Sequence, residues 1–121
     1  MQIPPAAYAM GAYLKAEVAT DNGDRQKALK EYEEAVKFDP HNAALHVQVA
    51  TLYVRDGRLK EALDQVNEAL ALDPSDDRAR LLAAGIDTAQ GDDKAAAGQY
   101  QEVMKLSPKN QESYLFLGTL Y

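Results

Sequence analysis

Apolar residues in the middle of the chain recur with a helical period. From Asn42 onward Val49, Leu52 and Tyr53 fall on one side, and beyond Gly57 the same holds for Leu59, Ala62, Leu63, Val66, Ala69 and Leu70. Steps of three and four residues place such side chains on one stripe of an α-helix. Two helices are therefore predicted, roughly 42–56 and 58–72. Gly57 stands between them and Pro74 follows the second. Glycine suits the left-handed residue that ends a helix, and proline neither continues a helix nor donates an N–H. A link of only a residue or two makes the two helices antiparallel neighbours.

The same phrase returns along the chain. Pro40, Pro74 and Pro108 are 34 residues apart, and Gly23, Gly57 and Gly91 keep the same interval. Each unit thus holds two helices, one closed by Gly and one by Pro. Asn42, Ser75 and Asp76 are residue types that cap a following helix. Small residues also recur in step: Ala16, Ala50, Ala84 and Gly118 in the first helices, and Ala28, Ala62 and Ala96 in the second. Helix axes approach to the near end of the usual ~8–10 Å only where side chains are short. These columns are therefore the packing seams, with Tyr32, Val66 and Tyr100 filling the wider gaps beside them.

The residues Val49-Ala50, Tyr53, Gly57, Ala62, Ala69 and Pro74 resemble the pattern of the tetratricopeptide repeat family, as do Tyr114, Leu117-Gly118 and Tyr121. The likeness extends from about Ala9 to Tyr121. It implies an all-α fold, an α-α superhelix (a right-handed solenoid) of about seven helices. The repeats are expected at about 9–42, 43–76 and 77–110, with a half repeat at 111–121. Longer and more basic helical repeats fit the 34-residue spacing less well.

Three departures carry information. Lys15 and Ala19 stand where the second unit has Val49 and Tyr53, so the first helix is expected to pack less tightly or to turn a different face inward. Asp87 occupies the place of Tyr53, while Gly85 and Gly98 lie inside predicted helices, each costing about 1 kcal/mol relative to Ala. The third repeat is accordingly expected to be the softest. Finally, Tyr114, Leu117 and Tyr121 form an apolar stripe on a half repeat that lacks its second helix. The expectation is a piece of a longer repeat protein, since solenoids end in polar caps; the other reading is a homodimer through that stripe.

In the family that these residues resemble, first helices line a concave groove. The corresponding positions are Tyr13, Glu17 and Thr20 in the first unit and Val47, Thr51 and Val54 in the second. They continue as Leu81, Gly85 and Thr88, then Leu115 and Thr119. Family members that grip a chaperone's C-terminal carboxylate place Lys, Asn and Arg at such positions. Here one column reads Tyr, Val, Leu and Leu and the next Glu, Thr, Gly and Thr, with no cation among them, so the carboxylate clamp is absent. A mostly uncharged, aliphatic groove suits an amphipathic helix or an extended apolar segment. The expected partner is therefore a protein or peptide.

Charge narrows the partner further. Thirteen basic against nineteen acidic residues leave a formal charge of −6, which disfavours nucleic acid and anionic membranes as main partners. No catalytic chemistry is expected. His41 and His46, five apart, have the wrong spacing for two ligands on one helical face, and both are assigned to a turn or the surface. Glu33-Glu34 and Asp76-Asp77 are expected to be solvated, with Asp76 and Asp77 at a helix start where the dipole favours them. Neither a clustered glycine loop for phosphate nor any cysteine is present, and no metal or cofactor is expected. The function predicted is a scaffold or adaptor. The alternative is the recruitment domain of a multidomain enzyme, such as a transferase or kinase, with its catalytic part elsewhere. The start of the chain has no basic residues and no apolar run, so it does not read as a signal peptide, and no stretch is long enough to span a bilayer. A soluble protein is expected, cytoplasmic by default, with an exported or periplasmic place left open if the chain is a piece of a longer one. The plain Ala-rich phrasing has a bacterial flavour.

Overall fold

The computed structural model describes residues 3–106, which form six helices in chain order. These are α1 (Pro5–Asp21), α2 (Arg25–Phe38), α3 (Ala43–Arg55), α4 (Leu59–Leu72), α5 (Asp77–Ala89) and α6 (Asp93–Leu106). The expected seventh helix, with Tyr114, Leu115, Leu117, Thr119 and Tyr121, falls outside the described residues. Among the described residues the fold is all-helical, as the periodicity predicts.

The turns explain why the helices end where they do. Gly23, Gly57 and Gly91 have φ of 75°, 75° and 80°, a region open to glycine without a Cβ penalty. Around each, the same two backbone bonds close the helix. Gly23, Gly57 and Gly91 donate to Thr20, Val54 and Thr88, each at 3.0 Å. The next residues, Asp24, Arg58 and Asp92, donate to Ala19, Tyr53 and Asp87 at 2.9, 2.8 and 2.8 Å. This pairing is the Schellman closure, which satisfies carbonyls that a helix end leaves open. The starts of α2, α3, α5 and α6 are capped by side chains, while those of α1 and α4 are not. Asp24 accepts from Lys27 N, Asn42 from Leu45 N and Asp92 from Ala95 N. Asp76 accepts from both Arg78 N and Ala79 N. Ser75, one of the expected caps, instead donates its hydroxyl to Asp73 at 2.7 Å and steadies the turn.

Helices pair as α1–α2, α3–α4 and α5–α6, and successive pairs stack through α2–α3, α4–α5 and α3–α5. The seam is built of alanine. Ala16, Ala28, Ala50, Ala62, Ala84 and Ala96 are wholly buried. Tyr32, Val66 and Tyr100 are buried beside them, so the expected columns hold across all three hairpins. A longer side chain at a seam position would force the axes apart, at a typical overpacking cost of about 1–3 kcal/mol. Polar ties join the first two hairpins at their turns, where Arg25 Nη1 donates to Arg55 O at 2.9 Å and Gln26 Nε2 to Asp56 Oδ1 at 3.3 Å.

Two expectations are corrected or decided here. His41 is exposed, but His46 is buried and does not belong to the surface. Its Nε2–H donates to Pro40 O at 2.8 Å, and its Nδ1 lies 2.8 Å from Gln65 Oε1. Thirty-four residues on, Arg80 does the same work. Its Nε donates to Pro74 O and its Nη1 to Gln99 Oε1, both at 3.2 Å. This position pins the preceding turn to the second helix of its own hairpin, which is why a polar side chain is held there. For α1, the inward face is unchanged: Ala12, Ala16 and Ala19 are buried while Lys15 is exposed. Val49, the counterpart of Lys15, is covered by the first hairpin. Among the described residues, no hairpin lies on the other side of α1 to do the same for Lys15.

Candidate functional site

The first helices α1, α3 and α5 stand side by side, and between them lie two shallow concavities of about 390 Å³ each. One, between α1 and α3, has Met10, Tyr13, Asp39, Asn42, Leu45 and Gln48 in its lining. The other, between α3 and α5, is lined by Val47, Gln48, Thr51, Arg78, Leu81 and Leu82. Gln48 belongs to both, so the two are neighbours across α3.

The expected groove residues divide into three groups. Val47, Thr51 and Leu81 come together in the α3–α5 concavity, and Tyr13 lines the α1–α3 one. Val47 is also largely buried among core residues, including Ala50 and Ile86. Glu17, Thr20, Val54, Gly85 and Thr88 line neither concavity; Thr20, Gly85 and Thr88 are exposed and Val54 is half-buried beside the second core cluster. Leu115 and Thr119 lie outside the described residues. Gln48, Arg78, Met10 and Leu82 line the concavities without having been singled out. Their signal was present: Met10 and Arg78 stand on one column of the 34-residue grid, and Gln48 and Leu82 on another.

Hydrogen bonding decides what these side chains can offer. Glu17 is already engaged, because the Tyr32 hydroxyl donates to its carboxylate. Burial, and then the Glu17 carboxylate, push the Tyr32 phenol well above its ordinary range. The Tyr13 ring meets Tyr32 edge-on at 5.8 Å between centroids, so Tyr13 is braced from behind. Thr51 donates its hydroxyl to Val47 O at 2.8 Å, and Thr20 and Thr88 do likewise to Ala16 and Ala84 at 2.9 Å. A threonine bonded back to its own helix has spent its hydroxyl hydrogen, leaving the methyl group and oxygen lone pairs. The α3–α5 concavity is thus aliphatic, with the exposed guanidinium of Arg78 and the amide of Gln48 as its polar handles.

The other displaced titrations belong to helix packing. Burial, and then the Glu33 carboxylate, raise the Tyr53 phenol to about 12. Burial, with the Asp92 carboxylate nearby, raises the Asp87 carboxyl. Among the described residues no three His, Cys, Asp or Glu side chains gather as a metal site would require. No described helix is long and apolar enough to cross a membrane.

Stacked helical hairpins of fixed period with a shallow face along their first helices define an α-solenoid. The chain belongs to the tetratricopeptide repeat family, whose sequence model matches residues 19–86. No curated protein sequence matches it. Solved structures do. The first tetratricopeptide domain of Spaghetti (RPAP3), bound to the HSP90 peptide SRMEEVD, superposes with a TM-score of 0.87 at 24% identity, over 95% of this chain and 91% of that one. The Arabidopsis OM64 domain gives 0.87 at 20% identity, over 96% of each chain. The second domain of human RPAP3, in complex with the HSP70 peptide SGPTIEEVD, gives 0.86 at 22%, over 96% and 97%. At these identities the likeness is one of fold.

Proposed function

We propose that the chain is a protein-binding module that holds an apolar or amphipathic segment of another protein across α1, α3 and α5, without catalysis of its own. The observation that carries this reading is the α3–α5 concavity, where Val47, Leu81 and Leu82 supply aliphatic surface and Thr51, Gln48 and Arg78 a sparse polar frame. Two domains of similar fold hold acidic peptides, the HSP90 peptide SRMEEVD and the HSP70 peptide SGPTIEEVD. This chain places Tyr13, Val47 and Leu81 at one column of its groove and Glu17, Thr51 and Gly85 at the next. Those columns supply no cation for such a tail, and Arg78 is the one cation among the described residues that line the α3–α5 concavity. We therefore read the groove as selective for mainly apolar contact over carboxylate capture.

Selection of a displayed random peptide library on the purified chain tests the proposal. Enriched peptides are expected to carry aliphatic residues at i, i+3 or i+4, and i+7. They are expected to lose at least about tenfold in affinity when Leu81→Asp is introduced with the helical circular dichroism intact. The peptide SRMEEVD is expected not to bind. Tight binding of SRMEEVD, or equal binding of selected peptides to Leu81→Asp, would sink the assignment.

A further inference from the structure

The concavity between α1 and α3 has apolar walls and an acidic end. Ala6, Ala9, Met10 and Leu45 supply the walls, and Asp39 is the one charged residue among the described residues that line it. Asp39 is half-buried. Its Oδ2 accepts from Asn42 Nδ2 at 3.2 Å, and no donor among the described residues is paired with its Oδ1. Thirty-four residues on, the same carboxylate is satisfied within its own turn. There Ser75 donates its N–H at 3.2 Å and its hydroxyl at 2.7 Å to Asp73 Oδ1. The counterpart of Ser75 in the first hairpin is the exposed His41, which makes no such bonds. The counterpart of Ala44, which also lines the α1–α3 concavity, is Arg78. The second joint thus brings its own donors and its own guanidinium. The first presents a carboxylate beside apolar walls and brings neither.

We infer that the α1–α3 concavity is a subsite for a lysine or arginine side chain of the bound segment, an assignment that rests on the groove proposed above and adds the charge of its partner. The stem of that side chain lies against Ala9, Met10 and Leu45, and its cation meets Asp39. Lysine and arginine are the side chains that join a long apolar stem to a charged end, and they bury the one while the other stays at a polar edge. An aliphatic side chain would fill the walls but strip water from the free carboxylate oxygen without replacing it. An acidic one would meet Asp39 at like charge. The Tyr13 ring, held edge-on by Tyr32 at 5.8 Å, adds an electron-rich surface that attracts a cation. At longer range the formal charge of −6 draws basic segments toward the chain. Arg78 in the adjoining concavity repels the same cation. A basic residue therefore fits on one side of the aliphatic anchors only, and it sets the direction in which the segment lies.

Peptides selected on the 121-residue chain are expected to carry Lys or Arg on one side of their aliphatic residues. Replacing that residue by norleucine keeps an apolar stem and removes the charge. The change is expected to weaken binding to the wild-type chain about fivefold at low salt, and by less as salt is raised. On Asp39→Asn the charged and norleucine peptides are expected to bind alike, so that the two changes are not additive. Ala44→Arg, at an exposed site, gives the first joint the residue found at the second and is expected to abolish the preference independently. Circular dichroism of both variants is expected to match the wild type. Equal binding of the two peptides to the wild-type chain, or a preference that persists in Asp39→Asn, would overturn the subsite and leave the groove in place. A library that yields no binder, or peptides indifferent to Leu81→Asp, would instead remove the groove and the subsite with it.

Discussion

At the turn of the second hairpin, Arg58 lies 4.5 Å from the centre of the Tyr53 ring, and the Tyr53 hydroxyl donates to Glu33 of the first hairpin at 2.5 Å. At the turn of the third, the same two places hold Asp87 and Asp92. A cation over a ring has become a buried carboxyl beside a second carboxylate, and the Asp87 carboxyl is raised by burial first and by Asp92 second. Yet the backbone bond between these positions is 2.8 Å in both hairpins. Asp92 also gains what Arg58 lacks, since its carboxylate caps α6 through Ala95 N at 3.0 Å. The glycine-led turn is thus independent of its side-chain pair. The pair decides how well one hairpin is fastened to the one before it.

Breaking the better corner gives the largest expected effect. Tyr53→Asp removes the ring, its hydroxyl bond and the surface under Arg58, and is expected to cost about 3 kcal/mol in urea unfolding. A loss below about 1 kcal/mol would show the corner to be unimportant. Repairing the poorer corner is the converse. Asp87→Asn is expected to stabilise by about 1 kcal/mol near neutral pH. The sign follows from linkage. Asp87 has a folded pKa above its unfolded value, so its ionisation costs stability as pH rises through that folded value. Acidification relieves the cost. The advantage of Asp87→Asn should therefore shrink as pH falls through the raised carboxyl range; a difference that is constant with pH would exclude ionisation as its cause. Tyr53 has its own window. Its phenol is raised from 10.0 to about 12, so the stability it contributes is fully present below pH 10 and lost as pH rises toward 12. Tyr53→Phe should flatten that alkaline loss.

The interior glycines sharpen the contrast at smaller scale. A Cβ at Gly85 or Gly98 meets nothing within 4 Å, so Gly85→Ala and Gly98→Ala should each stabilise by about 0.5–1 kcal/mol. Gly91, at φ 80°, should respond with the opposite sign. Hydrogen exchange is the finest probe. Amides of α6 are expected to be less protected than those of α4, and equal protection would refute a softer third hairpin.

Much of this was legible in the residues because repeat proteins announce their joints. Glycine, proline and the caps Asn42 and Asp76 each have one local job, so their spacing exposed the helices and the alanine seam. His46 was misread because a lone polar residue on a helix looks like surface. Comparison with Arg80, and of Gln65 with Gln99, would have revealed a shared pinning position. The exposure of Met10, Leu14 and Val18 on α1 escaped for another reason. Apolar residues lie all round that helix, and their pattern does not say which side has a neighbour. In the groove, Val47, Thr51 and Leu81 could be found by their spacing. Gln48 and Arg78 project into the same space from adjacent columns, which depends on helix rotation that a one-dimensional pattern does not specify.

The sameness of the turns has a consequence for how such a chain changes over generations. Excising residues 43–76 would join Asn42 to Asp77, leaving Asn42 to cap α5 as it now caps α3. Leu29 and Val36 of α2 would then meet Ala79 and Ile86, where Leu63 and Leu70 of α4 meet them now. Duplicating the same segment would create no new kind of joint. A gain or loss of any other length breaks a cap, a turn or a seam. Lineages of this chain are therefore free to lengthen and shorten by whole hairpins, and to alter binding reach without inventing new packing.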